Sequence, residues 1–207
     1  MPVSAPINPD FEEARRNAFK LSKTANGYAL GHIPPPISIK LAPSRHDSAR
    51  KFAASFDLRS QNKVSSVKNQ NPYGTCWAFA TMASTESGLM PLSPEPNFSE
   101  NNLVNKDGFD LGYDDGGNSF MGAAYLARWS GPVNESDDPY PNPNSSPDGL
   151  SAQKHMQNVI FYGKRNGPTD NDSIKEIIST YGAAYCSFYW DEQYYNATNF
   201  AFYTNAK

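Results

Sequence analysis

Cysteine is scarce in this chain. It occurs twice, as Cys76 and Cys186, which rules out a multi-bridge disulfide framework. No spacing pattern supports a Cys76–Cys186 bridge or a metal pair. Histidine is scarce too: His32, His46 and His155 are the only three. No apolar run of about eighteen residues occurs, so no membrane span is expected. The first twenty residues lack the basic start and apolar stretch of a signal peptide. Either the protein is intracellular or its export signal is absent from this chain. A net charge of −3 gives no reason to expect nucleic acid or an anionic membrane as partner. What is present suits a folded chain of one or two domains: 207 residues, 38% apolar and 19% charged. Seventeen prolines and fourteen glycines predict long irregular connections.

The chemistry concentrates in Val67–Leu89, VKNQNPYGTCWAFATMASTESGL. Tyr73-Gly74-Thr75 is turn material, with Thr75 a candidate N-cap. From Trp77 onward Ala78, Phe79, Ala80, Met82, Ala83 and Leu89 predict a buried helix. Cys76 then stands at a helix N-terminus, where backbone amides and the dipole favour a thiolate, so its pKa is expected to fall. Gln70 precedes it across the turn. Its amide is placed to donate to an oxyanion beside the Cys76 backbone N–H. A buried structural cysteine is the plainer alternative.

Gln70, Gly74, Cys76, Trp77 and Phe79 in this register resemble the active-site segment of the papain-like cysteine peptidases. Thr75 replaces a small Ser/Ala. Tyr73 stands where the family usually has a disulfide cysteine, and Asp114 stands at the position of its partner, so both halves are missing together. Phe56-Asp57-Leu58-Arg59 resembles the opening of the family's mature domain, and Phe98-Ser99-Glu100-Asn101-Asn102-Leu103-Val104 resembles its [LF]-S-E-x-x-L-V helix. Gly116-Gly117-Asn118 lies at the family's glycine-rich cleft edge, where a bound peptide pairs with backbone. Glu86 matches a usually acidic position and should be hydrogen-bonded if buried. The resemblance implies an α+β fold: the helical left subdomain plus the beginning of the β-sheet right subdomain. It implies Cys76 and Gln70 as catalytic residues and Gly74, Trp77, Gly116, Gly117, Asn118 and Ala184 along the substrate cleft. It implies no metal, no cofactor, a peptide or protein substrate, and an extracellular or cell-surface location.

Residues 1–54 are read as a leader or pro-like arm and linker, and 55–207 as the peptidase domain, incomplete at its C-terminus. Asp10–Ser22 is predicted helical, with Asp10 as cap and Phe11, Ala14, Ala18 and Leu21 as a docking stripe. Gly31–Pro36 must be extended, Ile37, Ile39 and Leu41 alternate like a strand, and 44–53 reads as an exposed linker. Residues 5–40 also resemble the leader of a prokaryotic subgroup in which a lectin-like domain often follows. A pro-segment over the cleft and a simple packing arm are the competing readings. Asp107–Asn118 fails the EF-hand template, because Phe109 stands where a ligand is needed. Ser119–Trp129 is predicted helical, 131–150 a long surface loop, Val159–Tyr162 a strand, and Ser173–Ile178 an amphipathic helix with Ile174, Ile177 and Ile178 inward. Gly182–Trp190 and Phe200–Tyr203 read as strands, with Cys186 in the core. Five N-x-[ST] sequons (Asn97, Asn134, Asn144, Asn171, Asn196) matter only in a glycosylating host.

The family's histidine and asparagine follow the cysteine by about 130–150 residues, a window that opens at the end of this sequence. His32 and His46 are expected at the surface, and His155 has no family counterpart. The expected function is a cysteine endopeptidase working through an acyl-enzyme, weak or inactive as this chain alone. A non-catalytic peptide-binding relative is the alternative, and a transferase on the same scaffold is a third reading.

Overall fold

The computed structural model describes residues 7–17, 22–37, 51–163, 165, 167 and 169–203. Ala18, Lys20, Leu21, Ile39, Leu41, His46 and most of the expected linker lie outside the described residues.

Helix α1 spans Pro9–Arg16 and is capped by Asn8, whose side chain accepts from the Asp10 amide. Asp10 is therefore inside the helix rather than its cap, since proline fits the first helical position and the cap falls two residues earlier, at Asn8. Segment 22–37 folds back beside it: Leu30 donates to Ser22 at 2.8 Å and Asn8 to Pro36 at 3.1 Å.

Helix α2, Cys76–Leu89, runs through the centre. Trp77, Ala78, Thr81, Met82, Thr85, Glu86 and Ser87 are all buried. Helix α3, Glu100–Lys106, begins at Ser99, whose Oγ accepts from the Asn102 amide. Helix α4, Ser119–Ala127, is capped by Asn118 accepting from the Phe120 amide. These three helices pack against one another around Trp77, Met82, Leu103, Val104, Met121, Tyr125 and Leu126.

The core also has a polar floor. Asp138 is 1% exposed and accepts from Asn101 (2.6 Å), Asn102 (3.1 Å) and Ser146 (2.6 Å). Its carbonyl accepts from Ser99 at 2.5 Å. The 131–150 stretch is therefore more than the surface loop its composition predicted. Buried Val133 and Asp138 staple it to α3, because a buried carboxylate demands this many donors. In the 107–118 loop, Asp107 accepts from Phe109 and Asp115 from Gly112, both at 2.8 Å.

The C-terminal stretch is looser. Helix α5, Asp172–Tyr181, has no buried residue; Ile174 is 38% exposed while Ile177 and Ile178 are half-buried, so its apolar stripe is only partly covered. Its N-cap is Asn171, without a side-chain cap bond. Residues 159–162 and 182–190 form no helix or strand among the described residues. Strands β1 (Tyr195–Asn196) and β2 (Ala201–Phe202) pair antiparallel. Ring contacts hold this part: Trp190 lies 4.9 Å from Tyr195 and 5.3 Å from Phe202. It is hooked to α2 where Ser84 donates to the Ala183 carbonyl (2.7 Å) and the Ala183 amide donates to Ser87 Oγ (2.8 Å). Cys186 is exposed, not a core residue.

Candidate active site

Cys76 is the first residue of α2, half-buried and unbridged. The turn before it is built by long-range bonds. Tyr140 donates its hydroxyl proton to the Gln70 carbonyl at 2.6 Å. A phenol has one proton, so the 2.8 Å bond between Thr75 Oγ1 and Tyr140 is donated by Thr75. Thr75 is thus the N-cap by position, yet its side chain caps nothing; the hydroxyl serves Tyr140 instead. The Gln70 amide donates to the Tyr73 carbonyl at 2.9 Å, closing the turn.

The second Gln70 bond carries the most information about the site. Its amide also donates to the Ala29 carbonyl at 3.3 Å, across a separation of 41 residues. Ala29 and Ile33 are buried, and the segment between them lies along the mouth of α2. Gly117 donates to Gly31 O at 2.8 Å, and Ile33 donates to Gly117 O at 2.9 Å. His32 thereby forms a parallel bridge with Gly117. Two glycines permit this approach. A Cβ on Gly31 would stand 1.9 Å from the Gly74 carbonyl oxygen, and one on Gly117 would stand 2.4 Å from the Trp77 indole.

The sulfur feels this cover. Backbone amides of Gly31, Trp77 and Cys76 favour the thiolate, but burial outweighs them and pushes the thiol above its usual range. The sequence predicted a fall from the helix N-terminus alone. The amides of Trp77 and Cys76 act in that direction, and desolvation in the covered cleft reverses the sign. Gln70, Cys76 and Trp77 line a cavity of about 980 Å³ together with the 28–34 segment and Tyr185–Trp190. Tyr185 neighbours both Cys76 and Cys186, and burial raises its hydroxyl pKa.

Gly74 is buried beneath Gly31. Trp77 is 1% exposed and forms the floor under Gly117. Gly116 turns the chain at φ +79°, and the Asn118 side chain caps α4. Ala184 is exposed and outside the cavity wall; the residues from Tyr185 to Trp190 line it instead, in a stretch that pairs with no strand among the described residues. His155 stacks on Trp129 at 4.3 Å. His32 is exposed, as expected of a surface leader residue, and stands at the rim of the cavity.

The family model described as papain family cysteine protease matches residues 52–206. The chain belongs to the papain family of cysteine proteases. Viral cathepsin of Lymantria dispar multicapsid nuclear polyhedrosis virus is 42% identical over 86 residues, covering 41% of this chain and 24% of its own. Viral cathepsin of Antheraea pernyi nuclear polyhedrosis virus is 40% identical over 107 residues, covering 50% and 32%. Among solved structures, the cysteine protease and lectin-like domains of Cwp84, a surface layer associated protein of Clostridium difficile, superpose with a TM-score of 0.70 at 21% identity, covering 94% of this chain and 43% of that one. Digestive procathepsin L2 from Tenebrio molitor larval midgut gives 0.62 at 24% identity, covering 83% and 60%. The chain thus spans a quarter to a third of the length of these viral relatives. The papain-type α+β fold class is shown by these neighbours.

Where the papain-family resemblance implied a disulfide, this chain has aromatic rings. Tyr73 meets Tyr113 edge-on at 5.0 Å, and Tyr113 stacks on Tyr140 at 5.6 Å. Tyr113 is the neighbour of Asp114, so ring contacts join the same two loops. Such pairs contribute about 0.5–1.5 kcal/mol each beyond burial, less than the roughly 2–4 kcal/mol of a disulfide. Glu86, expected to be paired, is 1% exposed and accepts from Ser65 (2.5 Å), the Phe98 amide (2.8 Å) and Lys68 (3.3 Å).

Proposed function

We propose that this chain carries the nucleophile and oxyanion donor of a cysteine endopeptidase, with residues 29–33 of its N-terminal arm seated in the cleft as a non-productive peptide. The supporting observation is the pairing of that arm with the site. A peptide carbonyl, that of Ala29, rests on the Gln70 amide, and the next residues pair through backbone with Gly117. The cleft therefore recognises extended backbone. Its occupant offers Cys76 an amide, that of Gly31, rather than a carbonyl carbon, which gives the sulfur nothing to attack.

With the arm displaced, the Cys76 thiolate adds to a substrate carbonyl carbon, and charge on the carbonyl oxygen is met by the Gln70 amide and the Cys76 backbone N–H. The C–N bond breaks, the amine leaves with a proton, and water hydrolyses the thioester to free acid and thiol. General-base assistance contributes roughly 10²–10⁴-fold. His155 is engaged with Trp129, and His32 belongs to the covering arm. The 1–207 polypeptide by itself is therefore expected to hydrolyse peptides weakly or not at all. The same reading makes 1–54 a pro-like arm ahead of a domain at 55–207. It places the protein outside the cell or at its surface, in keeping with the subgroup that residues 5–40 resemble.

The non-catalytic reading, a peptide-binding relative, draws on the upward shift of the thiol. One experiment separates the two. Alkylation of Cys76 by iodoacetamide is followed by mass spectrometry in a Cys186→Ser background, with and without Gly31→Val. The valine cannot fit against Gly74 and displaces the arm. At least a tenfold acceleration, beyond the rate of a model thiol, supports the peptidase reading. A rate that stays at or below the model thiol after displacement supports the binding module and rejects the peptidase.

A further inference from the structure

A second cavity, of about 550 Å³, is walled by Lys68, Glu95, Glu100, Glu135 and the rings of Phe79 and Tyr140. Its charges do not close on themselves. Lys68 has three ammonium protons and all are engaged: by Phe98 O at 2.7 Å, Glu100 Oε1 at 2.9 Å and Glu86 Oε1 at 3.3 Å. Glu135 accepts from the Tyr140 amide at 2.8 Å through Oε1. Glu95, at the rim, accepts from the Ser66 amide at 2.6 Å. Two buried oxygens remain, Glu100 Oε2 and Glu135 Oε2, each without a hydrogen-bond partner. Glu100 is 1% exposed, so solvent does not satisfy it from outside. A buried acceptor left unmatched is costly, more so when charged. One lysine here faces four carboxylates: Glu86, Glu95, Glu100 and Glu135.

We propose that this cavity binds an organic cation bearing N–H donors, a guanidinium or alkylammonium group, whose entry turns the unpartnered Glu100 and Glu135 oxygens, closed to water in its absence, onto its N–H groups. Two oxygens from different carboxylates match a forked donor better than a point charge. The adjoining Phe79 and Tyr140 rings, 4.8 Å apart and edge-to-face, give a flat cation or its alkyl stem a surface to lie on. A bare metal ion is a poorer fit. Among the described residues no group of three or more metal-ligating side chains gathers, and the space far exceeds one ion. The site is separate from Cys76 and does not depend on the peptidase reading. Burial and the neighbouring Glu135 charge push Glu100 up to about 7, so ligand binding and deprotonation are coupled.

The guanidinium can arrive on a free small molecule or on a basic side chain of another polypeptide, and two probes distinguish them. Agmatine and acetyl-Gly-Arg-Gly-amide are titrated calorimetrically into the whole chain at pH 8 and pH 5, with butylurea as neutral control. Saturable binding at pH 8, about tenfold or more weaker at pH 5 and about tenfold or more weaker in Glu135→Gln, is the expected result. Glu135→Gln leaves every Lys68 bond in place, so it tests the site without threatening the fold. Agmatine binding identifies a free ligand as sufficient, whereas binding of the peptide alone identifies a presented side chain. No saturable binding of either probe at pH 8, equal binding of butylurea, or an affinity unchanged in Glu135→Gln overturns the proposal.

Discussion

Between Leu58 and Asp138 the chain buries Trp77, Met82, Leu103, Val104, Tyr125 and Val133 to 3% exposure or less. From Pro141 to Tyr203, Gly182 is the one buried residue among those described. Phe188, Tyr189, Phe200 and Tyr203 are 65–81% exposed in the same stretch. Composition does not separate the two regions, since both are rich in aromatics. Backbone bonding does. A helix satisfies its own amides, so α2, α3 and α4 need only bury a face against one another. An extended segment needs a neighbouring strand before its alternating side chains acquire a face at all. Residues 159–162 and 182–190 have strand composition without a ladder among the described residues. The lesson is that apolar content builds a core only where backbone hydrogen bonding is already met.

The sharpest way to break this contrast is to truncate one large side chain in each region. Leu103→Ala should cost about 2–5 kcal/mol, the range for a buried leucine that leaves a cavity. Phe200→Ala should stay within about 0.5 kcal/mol, as for exposed sites. Urea denaturation of the 1–207 chain measures both, and comparable losses would show that the C-terminal stretch contributes a core of its own.

The second test uses protons. The strongly shifted carboxylates lie in the packed region: Glu100, raised to about 7 by burial, and Asp107, raised to about 6 by burial despite Arg128 nearby. Both bind protons more tightly folded than unfolded. Stability is therefore fullest below the unfolded carboxylate range and declines as pH rises from about 4.5 to 7. The expected loss is of order 2 kcal/mol, and Glu100→Gln should flatten the curve. A stability that climbs over that interval would show that Lys68 dominates the pocket.

Helix starts offer a smaller comparison. Ser99 both caps α3 and bonds the Asp138 carbonyl, so Ser99→Ala should cost about 1–2 kcal/mol. Asn8→Ala at the start of α1, where the cap bond to the Asp10 amide is exposed, should cost about 0.5–1 kcal/mol. Thermal midpoints of the two variants decide it.

Much of the packed region was legible because its instructions are local. Thr75-Cys76-Trp77 announces the helix start, Ser99 its cap, and Glu86 the need for donors. The arm over the cleft was legible only as one of three readings. The residues that seat it, Gly31, Gly74 and Gly117, are far apart in the chain, and no local pattern says that Ala29 O will find Gln70. The upward shift of Cys76 escaped for the same reason: the helix end is visible in sequence, the desolvating cover is not. Ala184 was placed on the cleft by the family resemblance and Cys186 in the core by its strand-like neighbours, and neither signal says that 182–190 would have no ladder among the described residues.

The smallest predicted effect lies in α5, where Lys175 and Asp172 pair at 3.0 Å with about half of each side chain exposed. Such a pair contributes roughly 0.3–0.5 kcal/mol in water and is screened by salt. Asp172 also stands in the first helical turn, where a negative charge adds a few tenths through the helix dipole. Asp172→Asn should therefore lower stability by about 0.5 kcal/mol at low ionic strength and by nearly nothing at 1 M salt. The Glu86–Lys68–Glu100 cluster is the control, because buried charges are poorly screened and its pH dependence should persist in salt. If both responses collapsed together in salt, the packed region would be wetter than its burial implies.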